Sequence, residues 1–265
     1  MSRGFLIFAF NNGVIDYLGH ALWIADRIER FMGLPTTIVT NETRKTRHNL
    51  VLTEALPGRI RNFGTHEKEV HAEWKNVNRF QAYELSPYDE TIVVDSDYII
   101  NTNQLATLFD SPQDFLCYRD VYDLTDTRSW DSHDTFGQFK FPHYWATVIF
   151  FRKTAFAQTI FDLMRMIKDN YNHYAQLYKF RIDGFRNDFA ISIAMSIAYG
   201  HRLDSIPTIP WRMPMAAVVH DVKQLADTEF EIHYKKKDKP MRIKVKDQDI
   251  HCLNKFALED IVSAG

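Results

Sequence analysis

Two carboxylates stand one residue apart, directly after a strongly apolar run in the middle of the chain. Residues 91–94 are Thr-Ile-Val-Val, and Asp95, Ser96 and Asp97 follow before the apolar run resumes. A run of β-branched residues predicts a strand buried on both faces, and charge at its end is costly unless a ligand uses it. Carboxylates at this spacing can share a hard divalent cation, which in turn can hold a diphosphate. A surface turn rich in aspartate is the structural alternative.

Length and composition predict one large α/β domain. The 265 residues are 45% hydrophobic and 14% aromatic, enough to bury a sizeable core. With 32 basic and 34 acidic residues, the chain as a whole is not an electrostatic nucleic-acid binder. Cys117 and Cys252 give neither a disulfide framework nor zinc spacing, which indicates a reducing compartment. Because we find no signal core and no apolar run of roughly 18 residues, we expect a cytoplasmic protein without membrane contact.

The first forty residues predict a β-α-β unit and hence a parallel sheet. An apolar strand over residues 4–10 ends at Asn11 and Asn12, a helical periodicity follows, and a second strand ends at Asn41. The right-handed crossover of such a unit makes its two strands parallel. Open α/β sheets bind their ligands at the carboxyl edge of the strands. The three asparagines are therefore predicted at the same edge as Asp95.

The rest of the chain continues the α/β pattern. Helices are predicted over residues 73–83, 154–171 and 189–199, and strands over residues 115–118 and 144–151. Residues 120–138 are polar and irregular, as in a long loop that forms a lid or a binding site. The alternating segments 230–234 and 241–246 predict a C-terminal hairpin.

Four places along the chain resemble the A-type glycosyltransferases of the glycogenin-like kind. Residues 8–12, at the end of the first strand, resemble that family's nucleotide-base pocket, and Asp95-Ser96-Asp97 resembles its Asp-x-Asp metal signature. The pair Asn187-Asp188 before an apolar helix resembles the Asp-Gln pair that touches the transferred sugar. Near the C-terminus, His251 and Lys255 resemble the histidine that completes the metal site and the lysine that binds the diphosphate.

The chain departs from the family's pattern in two places. Only three residues separate His251 from Lys255, where the family has a longer spacing that includes a glycine. Residues Trp145, Ala146 and Thr147 stand in place of the family's Asn-x-Gly strand. A distant branch of the family is therefore implied.

The resemblance implies a single Rossmann-like domain over residues 1–265, with a mixed, mostly parallel central sheet and a small C-terminal hairpin. It implies nucleotide binding in residues 1–110 and sugar and acceptor binding in residues 111–265. The implied function is transfer of a sugar from a nucleoside-diphosphate sugar to an acceptor hydroxyl with Mn²⁺ or Mg²⁺ as cofactor. A divalent ion suits this chemistry because the leaving diphosphate gains negative charge.

These implications assign a role to each candidate residue. Asp95, Asp97 and His251 are expected to hold the metal, and Asp188 to act as a base towards the acceptor or to brace the sugar. The expected donor-binding residues are Phe10, Asn11, Asn12, Asn41, Lys75, Arg79, Ser96, Asn187 and Lys255. The expected acceptor-binding residues are Trp145, Trp211, Lys235, Lys236 and Lys237.

Each role has a structural alternative. Asp188 stands where a helix N-cap belongs, and His251 can be an ordinary packed histidine. The basic pair Lys75 and Arg79 is typical of a solvated helix face. The asparagines at residues 11 and 12 can form a plain turn, and Trp211 can fill a gap in the core.

Basic residues crowd the predicted C-terminal hairpin and bear on the acceptor. They surround the single Asp238 and comprise Lys235, Lys236, Lys237, Lys239, Arg242, Lys244 and Lys246. Such a cluster favours a polyanion, and a lysine-protected edge hairpin is the alternative. The chain also resembles bacteriophage enzymes that glycosylate hydroxymethylated cytosine in DNA. That resemblance implies a double-stranded DNA acceptor, a flipped base and, for a viral protein, the host cytoplasm.

Other functions fit parts of the sequence. The acceptor can instead be a glycan or a small molecule, and the chain can be a non-catalytic nucleotide-sugar or nucleic-acid binding module. Phosphohydrolases of the haloacid dehalogenase type also carry a hydrophobic-Asp-x-Asp motif, but near the N-terminus and with Thr or Val where this chain has Ile99. The sequence assigns no sugar, no anomeric outcome and no oligomeric state.

Overall fold

A mixed, mostly parallel sheet forms the centre of the protein in the computed structural model. The structure describes residues 1–60, 71–127, 134–182 and 184–264. In spatial order, the strands of the central sheet in this part of the chain are β3 (Asn49–Leu52), β2 (Thr36–Thr40), β1 (Arg3–Ala9), β6 (Glu90–Val94), β12 (Trp145–Arg152) and β8 (Phe115–Tyr118). The first four run parallel, and β12 is antiparallel to both of its neighbours. The predicted sheet type and β-α-β unit are confirmed.

Helices cover both faces of this sheet. Their bounds are α1 (Tyr17–Met32), α3 (Ala155–Asp169) and α5 (Asn187–Ala198). Successive strand residues point to opposite faces, so Ile7 and Ile92 contact the core under α1, while Leu6 and Val93 contact the core under α3 and α5. Because both faces of β1 and β6 are buried, the polar residues that follow these strands mark the carboxyl edge of the sheet.

A second sheet brings the end of the chain to that edge. Its strands are, in spatial order, β7 (Tyr98–Ile99), β17 (Ile250–Cys252), β13 (Met213–Ala216) and β9 (Val121–Asp123). Tyr98 pairs with His251 in the antiparallel β7 and β17 pair. The backbone N–H of Cys252 also donates a hydrogen bond of 3.0 Å to the carbonyl oxygen of Asp97. These bonds place His251 beside residues that lie about 150 positions earlier in the sequence.

A third sheet contains the predicted hairpin. It consists of β14 (Asp221–Ala226), β15 (Glu229–Lys236) and β16 (Lys239–Lys246), all antiparallel. The hairpin prediction is confirmed, and β14 adds a third strand. Phe230, Val245 and Ile99 belong to one buried cluster, so this sheet packs next to β7.

The remaining elements are short. The strands are β4 (Arg59–Ile60), β5 (Glu73–Trp74), β10 (Thr135–Phe136) and β11 (Phe141–Pro142), and the helices are α2 (Ala82–Leu85), α4 (Tyr171–Tyr178) and α6 (Glu259–Ala264). 3-10 helices span Asn78–Gln81, Gln104–Asp110, Leu203–Ser205 and Lys255–Leu258. Within the described ranges, no helix has both the length and the apolar composition that a membrane crossing requires.

Two predictions about local structure are wrong. Residues 73–83 form β5, a 3-10 helix and the start of α2 rather than one helix. The Asn78 side chain accepts a hydrogen bond from the N–H of Leu56 and donates one to the carbonyl of Glu54, which ties this segment to an earlier loop. Residues 120–138 include β9 and β10, since β9 pairs with β13. Residues 128–133 of that predicted loop lie outside the described ranges.

A buried carboxylate joins three strands at the edge of the sheet opposite the polar strand ends. Glu90 is 3% exposed and pairs with Arg3 and Arg152, each at 2.6 Å. We expect Glu90→Gln to lower the free energy of unfolding by about 2 kcal/mol, because it leaves Arg152 without its carboxylate partner and Arg3 with only Asp110, 3.9 Å away. Urea unfolding at neutral pH measures this change.

The exposed Glu84 provides a matched control, because it pairs with Arg165 at 2.5 Å on the surface. Glu84→Gln is expected to change the unfolding free energy by less than about 0.5 kcal/mol. If both variants lost the same unfolding free energy, the buried ion pairs of Glu90 would contribute no more to stability than the surface pair of Glu84.

Candidate functional site

A cleft of about 250 Å³ opens at the carboxyl ends of β1 and β6. Many of the residues singled out in the sequence line it. They are Phe10, Lys75, Arg79, Asp95, Ser96, Asp97, Trp145, Asn187, Asp188, His251 and Lys255. The fold therefore brings together segments from the start, middle and end of the chain around one cavity.

Asp95, Asp97 and His251 converge at the floor of this cleft. The Nε2 atom of His251 lies 3.8 Å from Oδ2 of Asp95 and 3.5 Å from Oδ1 of Asp97. One ligand atom from each residue lies within 4.8 Å of the other two. Atoms that bind a single hard cation at about 2.0–2.6 Å have separations of this size. The geometry therefore fits one divalent ion.

The outer oxygen of each carboxylate is held by a basic side chain. Arg79 forms an ion pair with Oδ1 of Asp95, and the Nζ of Lys255 lies 2.6 Å from Oδ2 of Asp97. On the far side of the imidazole, Nδ1 of His251 lies 3.4 Å from Oγ1 of Thr147. Such neighbours orient metal ligands. The other oxygen of each carboxylate, together with Nε2 of His251, forms a ligand set of oxygen and nitrogen atoms. Such a set suits Mn²⁺, and it suits Mg²⁺ less well because Mg²⁺ binds nitrogen more weakly.

The charges around the site keep its groups ionised. Burial opposes ionisation of Asp97, but Lys255 and His251 more than compensate and hold its pKa below the usual range. Burial lowers the pKa of Arg79 to about 10, so its side chain stays cationic at neutral pH. Arg79 is 3% exposed, which makes the alternative of a solvated helix face wrong for this residue. A carboxylate that is ionised at neutral pH is ready to bind a metal.

Asp188 is held rigidly in the wall of the cleft. Its Oδ1 accepts a hydrogen bond of 2.9 Å from the N–H of Ala146, and its Oδ2 lies 3.1 Å from Nη2 of Arg186. The N-cap residue of α5 is Arg186 and makes no side-chain capping bond, so Asp188 does not serve as the predicted cap. Burial raises the pKa of Asp188, but the nearby positive charges, chiefly Arg186 and His143, lower it by more. The pKa of Asp188 is therefore below its usual value. Such a carboxylate is a fixed negative charge and a weak proton acceptor.

Two further lining residues connect the walls of the cleft. The Nδ2 of Asn187 donates a hydrogen bond of 2.6 Å to the carbonyl oxygen of Asn76. Lys75 Nζ lies 3.4 Å from the carbonyl oxygen of Asn11, which positions its ammonium group near the end of β1. These contacts fix the loop before the 3-10 helix at residues 78–81 against the start of α5 and the end of β1.

The predicted asparagines at the strand ends accept hydrogen bonds from nearby backbone N–H groups. Asn11 Oδ1 accepts from the N–H of Leu18, and Asn12 Oδ1 accepts from the N–H groups of Val14 and Ile15. Asn41 Oδ1 accepts from the N–H of Asn11. These asparagines are not among the residues that line the 250 Å³ cleft. The contacts of Asn12 match the plain-turn alternative, whereas Asn11 bonds to the first turn of α1 and Asn41 bonds to Asn11.

The predicted acceptor residues divide into two groups. Trp145 lines the cleft, whereas Trp211 packs against the core under α1 and donates a 2.8 Å hydrogen bond to the hydroxyl of Tyr118. Lys235, Lys236 and Lys237 lie at the tip of the β15 and β16 hairpin, and Lys236 pairs with Asp126 at 2.5 Å. Neither the tryptophan at 211 nor the three lysines line the cleft.

Sequence reasoning missed several residues of the cleft. Arg186 lines it and pairs with Asp188, and Asn76 and Thr147 also line it. Arg186 directly precedes the pair that the family resemblance identified, so its position was a usable signal. Asn76 has no sequence signal, because the contact that places it comes from α5.

Comparisons with known proteins find similarity only among solved structures. No protein-family model matches the chain, and no curated protein matches it. Similar solved structures include the glycosyltransferase GlyE of Streptococcus pneumoniae TIGR4, with 12% identity and a TM-score of 0.44 over 79% of this chain and 45% of that chain. The galactosyltransferase LgtC has 11% identity and a TM-score of 0.44 over 72% of this chain and 69% of that one. Mouse xyloside xylosyltransferase 1 has 13% identity and a TM-score of 0.44 over 76% and 83%.

The chain spans less than half the length of the GlyE chain. The sequence identity to these three structures is only 11–13%. The function is therefore inferred below from the geometry and charge of the cleft.

A buried histidine near the cleft gives the fold a pH dependence. His20 in α1 is 1% exposed, and neither ring nitrogen has a hydrogen-bond partner among the described residues. Burial, the largest effect, lowers its pKa to about 4. An unfolded histidine titrates near 6.5, so the unfolded chain takes up this proton first as the pH falls. Stability is therefore lost between pH 6.5 and 4 and levels off below that range.

We expect His20→Leu to reduce the loss of unfolding free energy between pH 7.5 and 4.5 by about 2.5 kcal/mol relative to the wild type. Urea unfolding at the two pH values measures it. The exposed His173 serves as the control, and His173→Leu is expected to keep the wild-type pH dependence. An unchanged pH dependence in His20→Leu would refute the assignment.

Proposed function

We propose that the protein is a metal-dependent glycosyltransferase that moves a sugar from a nucleoside-diphosphate sugar to an acceptor hydroxyl. The observation that carries this proposal is the convergence of Asp95, Asp97 and His251 within 4.8 Å of one another at the floor of a cleft. A divalent ion bound there stabilises the negative charge that develops on the leaving diphosphate.

The charge of the cleft supports an anionic donor. Its charged lining consists of the cations Lys75, Arg79, Arg186 and Lys255 and the carboxylates Asp95, Asp97 and Asp188. The cations outnumber the carboxylates by one, and a divalent ion increases the positive excess. A cleft with this excess attracts a diphosphate and becomes more complementary to it as the diphosphate leaves.

The proposed reaction breaks the bond between the anomeric carbon and a diphosphate oxygen and forms a bond from that carbon to the acceptor oxygen. The acceptor proton passes to the departing diphosphate. Lys255 lies 2.6 Å from Asp97 and supplies a positive charge next to the diphosphate position. Asp188 has both oxygens hydrogen-bonded and a lowered pKa, so we assign it to bracing positive charge on the sugar rather than to proton removal. That role fits a retained anomeric configuration.

A donor screen tests this function. The wild-type chain is incubated with UDP-glucose, UDP-galactose, UDP-N-acetylglucosamine and GDP-mannose, each with hydroxymethylated duplex DNA or a simple sugar as acceptor and with Mn²⁺ or EDTA, and the released nucleoside diphosphate is measured. We expect release from at least one donor with Mn²⁺ and none with EDTA. Metal-dependent hydrolysis of p-nitrophenyl phosphate without donor turnover would favour the phosphohydrolase alternative. Donor binding without turnover would favour the non-catalytic module.

Hydroxymethylated cytosine in bacteriophage DNA is the acceptor that we propose, and the hairpin tip supports this choice. Away from the tip, acidic residues of β15 face basic residues of β16, since Glu229 lies opposite Lys246 and Glu231 lies opposite Lys244. The positive excess is concentrated at the tip, where Lys235, Lys237 and Lys239 are exposed. A localised cationic tip suits a phosphate backbone.

We expect transfer to hydroxymethylated duplex DNA to weaken steeply with salt. Replacing Lys235, Lys237 and Lys239 together by alanine is expected to reduce the slope of log affinity against log salt by up to about 3, one unit for each lost phosphate contact. Filter binding at 50–300 mM salt measures the slope. A salt-insensitive reaction would favour a glycan or small-molecule acceptor.

A further inference from the structure

Two amide oxygens in the wall of the cleft lack a hydrogen-bond donor. Oδ1 of Asn76 and Oδ1 of Asn187 are both buried, and neither has a partner among the described residues. Asn187 is 4% exposed, and both residues line the cleft. A buried amide oxygen without a donor destabilises the folded protein. Two of them in one cleft therefore favour a ligand that supplies donors.

The orientation of the Asn187 amide is fixed by its neighbour. Its Nδ2 donates a hydrogen bond of 2.6 Å to the backbone carbonyl oxygen of Asn76. An amide rotated by half a turn would place two acceptors against each other. Oδ1 of Asn187 is therefore an acceptor, and the same hydrogen bond holds the two asparagines side by side.

The basic side chains of the cleft are engaged elsewhere. Arg186 pairs with Asp188, Lys255 pairs with Asp97, and Arg79 pairs with Asp95 and donates to the carbonyl of Ala146. The fourth cation, Lys75, lies 3.4 Å from the carbonyl oxygen of Asn11. None of the described side chains donates to the two amide oxygens, so a ligand in the cleft can supply these hydrogen bonds.

The chemistry of the ligand decides which part of it can bind here. Ionised phosphate oxygens only accept hydrogen bonds, so a diphosphate cannot satisfy two amide oxygens. Sugar hydroxyls donate. We propose that Asn76 is a specificity-determining residue, which lies beside Asn187 and accepts a hydrogen bond from a free hydroxyl group of the transferred sugar. This inference rests on the proposed function, because it assigns the subsite at Asn76 to the sugar of the donor.

The subsite predicts a defined discrimination among donors. A site that accepts hydrogen bonds from a substrate hydroxyl rejects an analogue that cannot donate. Fluorine cannot donate a hydrogen bond, so replacing the recognised hydroxyl by fluorine is expected to weaken donor binding about tenfold, whereas a nucleoside diphosphate without sugar is unaffected.

Calorimetric titration with Mn²⁺ present tests this discrimination. The probes are the donor found in the screen, its 2-, 3-, 4- and 6-deoxyfluoro analogues and the corresponding nucleoside diphosphate. They are titrated into the wild type, Asn76→Leu and Asn76→Asp. Leucine has nearly the shape of asparagine but no acceptor, whereas aspartate keeps an oxygen acceptor. Asn172→Leu, at an exposed position in α4, is the matched control. Binding of the nucleoside diphosphate alone corrects for the added charge of the aspartate.

We expect Asn76→Leu to bind the unmodified donor about tenfold more weakly and to lose the penalty for one fluorine position, with unchanged binding of the nucleoside diphosphate. Asn76→Asp is expected to keep the penalty, and Asn172→Leu to match the wild type. Equal binding of the unmodified donor by Asn76→Leu and wild type, or an unchanged fluorine penalty, would overturn the subsite. Failure of the wild type to bind any nucleotide-sugar would instead overturn the proposed function.

Discussion

Asp97→Asn is expected to lower turnover of the nucleotide-sugar donor about a thousandfold and to weaken manganese binding beyond detection. The neutral amide removes one of the two negative charges at the proposed ion site and leaves Lys255 without the carboxylate that lies 2.6 Å away. Without this ligand, the site stabilises the negative charge that develops on the leaving diphosphate less well, so the rate of the chemical step falls. Donor turnover with saturating Mn²⁺ and manganese titration measure the two effects, and circular dichroism verifies the fold.

A second group of possible ligands provides the matched control for this prediction. Asp26, Glu29 and His48 also bring ligand atoms within 4.8 Å of one another, but on the surface, and Arg47 pairs with both carboxylates. Asp26→Asn is therefore expected to leave turnover and manganese binding unchanged. Loss of manganese binding in Asp26→Asn with full binding in Asp97→Asn would move the ion site to the surface.

Asp188→Asn is expected to lower kcat about a hundredfold while the Kd for the donor changes less than about threefold. The amide oxygen can still accept the hydrogen bond from Ala146, so the wall of the cleft keeps its shape, but the fixed negative charge is lost. An interaction made only in the transition state lowers kcat without weakening ground-state binding. Single-turnover kinetics and donor titration separate the two quantities.

The pH profile distinguishes bracing from proton removal at Asp188. Because Arg186 and its other neighbours lower the pKa of this carboxyl despite burial, it stays ionised across the neutral range. We therefore expect the rate to depend on pH between 6 and 8 in the same way in the wild type and in Asp188→Asn. We also expect NMR to show a product of retained anomeric configuration. A rate limb near neutral pH that the variant removes, with inverted product, would establish Asp188 as a general base.

The position of Asp95 and Asp97 was predictable because one local pattern, an apolar run that ends in two carboxylates, indicates both the strand and the site at its end. The apolar run before Asp95 is β6, and it is buried because helices cover both faces of the sheet. His251 is different, since nothing local in its sequence indicates a site. Its place depends on the pairing of β17 with β7, which joins residues about 150 positions apart, and the family resemblance alone pointed to it.

What sequence reasoning missed depends on tertiary hydrogen bonds. The helix predicted over residues 73–83 does not form because Asn78 is bonded to the backbone of the loop at residues 54–56. Asn76 enters the cleft through its contact with Asn187 on α5. In contrast, Asn11 and Asn12 have the sequence position of binding residues, but their side-chain oxygens accept hydrogen bonds from the backbone of the following turn and of α1. Residue type and order in the chain do not distinguish these cases.

Titration of Mn²⁺ followed by electron paramagnetic resonance, with nucleoside diphosphate present, tests the central claim most directly. The account predicts one saturable manganese site per wild-type chain and its loss in Asp95→Asn, Asp97→Asn and His251→Ala, each correctly folded. Equal manganese affinity in the wild type and all three variants would contradict it.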